Sequence, residues 1–345
     1  MKYRLLGKSG LRVTELCLGT MTFGTEWGWG SDHQASKEVF DAYCNAGGNF
    51  IDTANRYTEG TSETWLGEFI HADRDHFVLA TKYSLKDRNG DPNFSGNHRK
   101  NLYRSVTDSL KRLNTPYIDL LWLHAWDFCT PVEEVMRSLD DLVSGGLVHY
   151  IGISDTPAWV ISSCNTMAEL RGWHQFAAMQ IEYSLLQRTP EREFFPLAKF
   201  MDLAITPWAP LAGGALTGKY LKQEAGRVKE NSVRRSDKAN AIVAKVVELA
   251  GELGVTPAQL AINWTRQHRN VVVIPIVGAR TAPQLEDTLQ CLDFEIPVEV
   301  CTALNEVSAI ELGFPHDFLQ SDGVRDVTFS QVYDKIINHR DYQNG

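Results

Sequence analysis

The chain has few of the features that would tie it to nucleic acid, a membrane, a metal or a disulfide scaffold. It has no basic run, and 34 Lys plus Arg against 43 Asp plus Glu leave a formal charge of -9. That balance gives no sign of nucleic-acid binding. No apolar stretch approaches the roughly 18 residues a membrane span needs. The opening MKYRLLGKSGLRV lacks the apolar core and cleavage site of a signal peptide. Six cysteines are scattered at 17, 44, 129, 164, 291 and 301, with no C-x-x-C pair. This usage is expected of reduced thiols in a cytoplasmic protein. Ten histidines are equally dispersed, with no H-E-x-x-H or Cys/His cluster, so no metal is expected. The G-x-G-x-x-G turn of a doubly wound dinucleotide fold is also missing after the first strand-like run, which ends Gly19-Thr20-Met21.

What is there is an alternation. Eight short, near-continuously apolar runs read as strands buried on both faces: ELCLGTM from Glu15, NFIDTA from Asn49, FVLATK from Phe77, IDLLWLH from Ile118, YIGIS from Tyr150, AMQIEY from Ala178, AITPWAP from Ala204 and VVVIPIVG from Val271. Amphipathic helices lie between them. In NHRKNLYRSVTDSLKRL the apolar positions Leu102, Val106, Leu110 and Leu113 have helical spacing. In PVEEVMRSLDDLVSGG, Pro131 suits a first turn and Gly145-Gly146 a stop. Eight βα units in 345 residues predict an α/β fold, a (β/α)8 TIM barrel occupying 1–345 as a single domain.

Three segments fall outside that repeat. Residues 1–14 read as a β-hairpin turning at Lys8-Ser9-Gly10, placed to plug the N-terminal mouth of the barrel. Residues 84–97 form a polar, Gly- and Asn-rich loop after the third run. Residues 309–345 read as an irregular C-terminal loop and tail. Loops that follow strands build the active-site face of such barrels, so the last two are candidate substrate walls.

Asp52, Tyr57, Lys82 and His124 lie at or just beyond the ends of three successive runs. Together they supply what carbonyl reduction needs. Tyr57 is the candidate general acid, with an ordinary pKa near 10. Lys82, if about 4 Å away, would favour tyrosinate by roughly 4 kcal/mol, or about three pKa units, less the cost of desolvation. Asp52 would keep Lys82 charged and in place. His124 would donate a hydrogen bond to the substrate oxygen. Taken singly, each residue has a structural explanation: a turn former, a core aromatic, a paired lysine, a satisfied histidine. Their convergence on one rim favours a site.

The set resembles the aldo-keto reductase family, and the resemblance covers nearly the whole chain. GKSGLRVTELCLGTMTFG is similar to the family's opening segment. DTANRYTEGTSETWLG, ATKYS and DLLWLHAWD carry the tetrad, with Gly60, Ser62, Glu63, Leu66 and Gly67 also fitting. The resemblance implies an NADP(H) cofactor. Gly19, Thr20 and Met21 match backbone near the nicotinamide, and Asp52 borders it. Ser154 and Gln180 match residues that hold its carboxamide, and Trp208 an aromatic that stacks on it. Asp155 stands where the family usually has Asn; a carboxylate can accept from an amide but cannot donate. Pro210, Leu211, Gly213 and Lys219 match a loop over the pyrophosphate. Gly278, Arg280, Gln284 and Asp287 match the adenosine end, with Thr288 where many members have Asn. Arg280, near a helix start, is the implied 2′-phosphate contact, which favours NADP(H) over NAD(H).

Trp27, Trp29, Tyr57, Tyr83 and Trp126 predict an aromatic pocket, with Phe314, His316 and Phe318 in the tail as closing residues. Such walls suit a small carbonyl substrate, aromatic, long-chain or sugar-like. Two other readings stay open. The resemblance extends to potassium-channel β subunits, which bind NADP(H) but act on a partner; an added N-terminal segment or assembly surface would favour that reading. A Schiff-base aldolase would use Lys82 but leaves Tyr57, His124 and the adenosine end unexplained.

Overall fold

Each of the eight apolar runs contains a strand. In the computed structural model, which describes residues 1–224, 226–267 and 270–337, the hairpin supplies β1 (Tyr3–Leu5) and β2 (Arg12–Thr14). The barrel strands are β3 (Cys17–Gly19), β4 (Phe50–Asp52), β5 (Val78–Tyr83), β6 (Ile118–Leu123), β7 (Val148–Ser154), β8 (Ala178–Glu182), β9 (Ala204–Trp208) and β10 (Ile276–Val277). All neighbours are parallel, in the order β10-β3-β4-β5-β6-β7-β8-β9. The ring is completed by one bridge, Ile205 to Val273. There Ile205 N–H donates to the Val272 carbonyl and Ile274 N–H to the Ile205 carbonyl, both at 2.8 Å. Pro275 follows directly and has no N–H to continue the ladder, so the eighth run splits into a bridge and the short β10.

Continuous apolarity follows from alternate residues facing two different cores. Val78, Ala80, Leu120, Trp122, Ala178 and Ala204 fill the barrel interior. Leu121, Leu123, Ile151, Ile153, Met179 and Ile205 face the helices. Trp122 occupies so much of the interior that a Cβ at Gly152 would lie 2.3 Å from its ring.

The connecting helices form where the spacing predicts. One spans Arg99–Arg112 and buries Leu102 and Val106; His98 caps it, its Nδ1 accepting from Asn101 N–H at 3.3 Å. Another spans Val132–Ser144. Pro131 sits one position before its first residue, Glu133 and Glu134 face its positive end, and Gly145 terminates it.

The hairpin closes the N-terminal end of the barrel. Leu6 and Val13 join the interior cluster, and Lys8 N–H donates to the Asp202 carbonyl just before β9 (2.8 Å). The strands themselves are not apolar cover: Tyr3 and Leu5 are exposed. The tail is more regular than its composition suggests. Residues His316–Gln320 and Asp322–Thr328 are short helices. Gly313 N–H donates to the Asp317 carboxylate (2.7 Å), which tethers the start of the first one. The tail anchors beside the loop after β8, through Arg192 to the Glu311 carbonyl and His316 to Glu193.

Gly7 is the tightest point of the plug. It has φ +55, and a Cβ there would sit 2.3 Å from the Ala177 carbonyl oxygen and 2.6 Å from that of Asp202. Gly47 is also left-handed, at φ +81, but opens on free space. Urea unfolding of Gly47→Ala should show a loss of about 1 kcal/mol from backbone strain alone. Gly7→Ala should lose clearly more, about 3 kcal/mol or beyond. Equal losses would mean that the hairpin can lift from the barrel without cost.

Candidate active site

The strand ends converge. Gly19 ends β3, Asp52 ends β4, Lys82 is the penultimate residue of β5, His124 follows β6, Ser154 ends β7, Gln180 lies in β8, Trp208 ends β9 and Gly278 follows β10. Parallel strands in register bring all of these to the C-terminal rim: Gly19 pairs with Asp52, Lys82 with Trp122, and Ser154 with Gln180.

Lys82 is fully buried and ion-paired with Asp52 Oδ2; its Nζ also donates to the Thr53 carbonyl at 2.8 Å. The second Asp52 oxygen, Oδ1, accepts from Gln180 Nε2 at 2.9 Å. The ammonium lies 4.7 Å from the centre of the Tyr57 ring, and the Tyr57 and His124 rings meet edge to face at 6.2 Å. The four expected residues therefore form one cluster.

The segment between Asp52 and Tyr57 is held from behind by residues of the same motif. Ser62 Oγ donates to the Thr20 carbonyl (2.9 Å) and hydrogen-bonds with the Thr20 and Thr53 hydroxyls. Buried Glu63 accepts from Thr81 Oγ1 (2.5 Å) and Arg112 Nε (2.6 Å). Gly67 allows the Leu113 carbonyl to approach.

Electrostatics separate the roles. Burial lowers the basicity of His124 well below its usual value and the Lys82 charge adds to this, so the imidazole is neutral at pH 7. Burial also works against the Lys82 charge, but Asp52 and Tyr57 more than offset it, and the ammonium is held more tightly than normal. Tyr57 departs from expectation. Burial raises its phenol above the ordinary value, and Lys82 opposes this only in part. Loss of water around the phenol is the larger effect, and the Asp52 charge adds to it.

The aldo/keto reductase family profile matches residues 15–309. The chain is 39% identical to norsolorinic acid reductase stcV of Emericella nidulans, over 96% of this chain and 89% of that protein. It is 36% identical to norsolorinic acid reductase A of Aspergillus parasiticus (92% and 84% covered). Identity to the aryl-alcohol dehydrogenase [NADP(+)] of Phanerodontia chrysosporium is 37% (91% and 87% covered). The chain belongs to the aldo/keto reductase family. It is thus an oxidoreductase built on a TIM barrel.

The residues expected to meet the cofactor of this aldo/keto reductase fall into two groups. Several have the freedom a ligand requires. Ser154 Oγ is buried without a partner. Gly278 is exposed, in a cradle that a side chain would narrow, since a Cβ would lie 3.2 Å from the Gly19 carbonyl. Arg280 is exposed just before the helix Ala282–Leu289. Trp208, Pro210, Leu211, Gly213 and Lys219 form one strap after β9, bent by positive φ at Ala209, Ala212, Gly213, Gly214 and Gly218. These residues fit an extended dinucleotide. Others are already engaged by the protein. Thr20 Oγ1 bonds to Ser62 and the Asp52 carbonyl. Gln284 Oε1 accepts from Arg280 N–H (3.1 Å). Asp287 accepts from Gln259 Nε2 (2.9 Å) and Thr256 Oγ1 (3.3 Å).

Of the expected aromatic walls, Trp27 meets Tyr57 (6.4 Å) and Trp29 (5.7 Å). Tyr83 does not join them. It is fully buried between barrel and helices, because the residue after Lys82 must point to the opposite face of β5. Trp126 is half-buried against that same outer layer. Phe314 is 85% exposed and pairs with Phe318 at 6.0 Å, while His316 bonds to Glu193.

Reading the sequence missed Arg227 and Arg234 in the strap. Arg227 stacks on Trp29 at 4.9 Å, and Arg234 pairs with Glu182 at the end of β8. The scattered excess of Lys and Arg between residues 219 and 235, after a strand, was the available signal. Lys82→Met should move the Tyr57 titration to higher pH, since it removes the cation that opposes the effect of burial and leaves the Asp52 charge. Ultraviolet titration of Lys82→Met, referenced to Tyr57→Phe, should show this upward shift. An unchanged midpoint would mean the ammonium does not act on the phenol.

Proposed function

We propose that the protein is an NADP(H)-dependent reductase of aldehydes and ketones, with aromatic carbonyl compounds as its substrate class. The observation that carries this reading is the Tyr57–Lys82–Asp52 cluster with a neutral His124 beside it. A phenol whose pKa is raised by burial stays protonated at neutral pH and can give its proton to a developing alkoxide. His124 Nδ1 is buried without a partner, which favours the tautomer protonated on Nε2, the atom able to donate to a substrate oxygen. When bound, the reduced nicotinamide supplies the hydride. Ser154 would hold its carboxamide, Trp208 would pack on its ring, and the strap with Lys219 would cover the pyrophosphate. Arg280 would meet the 2′-phosphate.

The flat walls of Trp27 and Trp29 beside Tyr57 support an aromatic substrate, and so does the similarity to an aryl-alcohol dehydrogenase. The free state of all six cysteines fits the reducing cytoplasm. An aldolase reading is disfavoured by Lys82 itself. Its ammonium is stabilised by Asp52, whereas a Schiff-base lysine must shed its proton to attack. A purely regulatory role is disfavoured because the similar proteins are named for reduction or dehydrogenation.

Incubation with NADPH and a panel of aryl aldehydes, followed by the absorbance of the reduced nicotinamide, tests the class. Tyr57→Phe should lose about 10²–10⁴-fold in turnover while still binding NADPH. Activity within about tenfold of the parent would remove Tyr57 as the acid. Arg280→Ala should weaken NADPH about 10- to 150-fold and leave NADH nearly unaffected. Equal losses would assign Arg280 to the shared pyrophosphate or to the scaffold.

A further inference from the structure

Three carboxylates line the inner rim beside the nicotinamide side of the site, and two have cations. Asp52 is paired with Lys82 and Glu182 with Arg234. Asp155 forms no ion pair among the described residues. Its backbone is left-handed (φ 41), its N–H donates to the Gln180 carbonyl (3.3 Å), and this kink turns the chain directly after Ser154. Its Oδ1 accepts from Trp208 Nε1 at 3.0 Å. The carboxylate is thus fixed between the end of β7 and the aromatic ring that ends β9.

Asp155 also opens on a cavity of about 300 Å³ with Thr156, Pro157, Glu182, Gln187 and Phe194. Crowding by the protein raises its carboxyl above the usual range, with Glu182 adding to the effect and Trp208 and Lys82 opposing it. The residue as a whole is exposed at the rim, so water screens the carboxylate in part, and among the described residues no cation pairs with it. Oxidised nicotinamide carries a positive charge on its ring and the reduced form does not.

We infer that Asp155 biases the protein toward the oxidised cofactor: its carboxylate, held by Trp208, meets the positive charge of NADP⁺ and makes that form bind more tightly relative to NADPH than a neutral residue would. This rests on the reading that the nicotinamide lies against Trp208. By linkage, tighter binding of NADP⁺ shifts the bound equilibrium toward carbonyl reduction, in which a hydride (one proton with two electrons) passes from the cofactor to the carbonyl carbon and Tyr57 gives a proton to the oxygen. It also makes release of NADP⁺ slower than it would be with asparagine.

The test is equilibrium binding of NADP⁺ and NADPH to the intact protein and to Asp155→Asn, followed by tryptophan fluorescence or calorimetry. Asparagine keeps an acceptor for Trp208 and tolerates the left-handed backbone, so only the charge is lost. The ratio of the NADP⁺ to the NADPH dissociation constant should rise about three- to tenfold, the size of one screened charge contact in a half-solvated cleft. Asp155→Gly, which also suits φ 41, should shift the ratio in the same direction and serves if the asparagine variant does not fold. Glu133→Gln, at the exposed start of the helix Val132–Ser144, removes one negative charge without touching the strap or the rim cluster and should leave the ratio near that of the parent.

Equal weakening of both forms by Asp155→Asn would assign the side chain to carboxamide or scaffold contacts and overturn the inference. An equal shift in ratio from Glu133→Gln would overturn it too, by tracing the effect to the overall charge of the protein. Either result leaves cofactor binding itself intact. A parent protein that binds neither nucleotide would sink the functional reading on which this rests.

Discussion

The buried ion pair between Lys82 and Asp52 constrains everything else at the rim. An ammonium with no access to water is tolerable only with an opposite charge and further acceptors around it. Asp52 Oδ2 and the Thr53 carbonyl meet that requirement, and Gln180 satisfies the second carboxylate oxygen. Three strands must therefore keep their relative heights: β4 for Asp52, β5 for Lys82 and β8 for Gln180. The continuous register from β4 to β8 sets those heights.

Once that pair is in place, the neighbouring groups take their states from it. The Lys82 charge opposes protonation of His124. It also draws Tyr57 toward ionisation, but the nearby Asp52 carboxylate and the burial of the phenol work the other way. The result is a neutral imidazole beside a protonated phenol, a combination that suits donation of a proton and a hydrogen bond to one oxygen. Deep burial here sets pKa values against each other rather than simply costing stability.

The strap after β9 ties remote parts of the rim together. Arg234 anchors it to Glu182 on β8, and Arg227 rests on Trp29 from the loop after β3. The same strap starts at Trp208, which is fixed to Asp155 after β7. Three separate βα loops are thus coupled by a salt bridge, a cation–π contact and a hydrogen bond.

The sequence by itself determined the strands, the helices between them and the rim on which the site lies. Strand periodicity and apolar runs are local signals, and parallel order then carries Asp52, Lys82 and His124 to one end. Local signals also marked Gly145-Gly146 as a stop, whereas the split at Pro275 in the eighth run emerged only in the fold. Other features were decided only by tertiary structure. Tyr83 looked like a pocket wall until the alternation of β5 turned it outward, and the tail aromatics Phe314 and Phe318 proved exposed. The upward shift of Tyr57, the commitment of Asp287 to Gln259 and the hold of Arg227 on Trp29 depend on distances between residues far apart in the chain. Residue type and spacing specify which groups arrive at the rim. The net charge each group experiences, and which partner claims it, is set by burial and by neighbours from other strands, and those exist only once the barrel has closed.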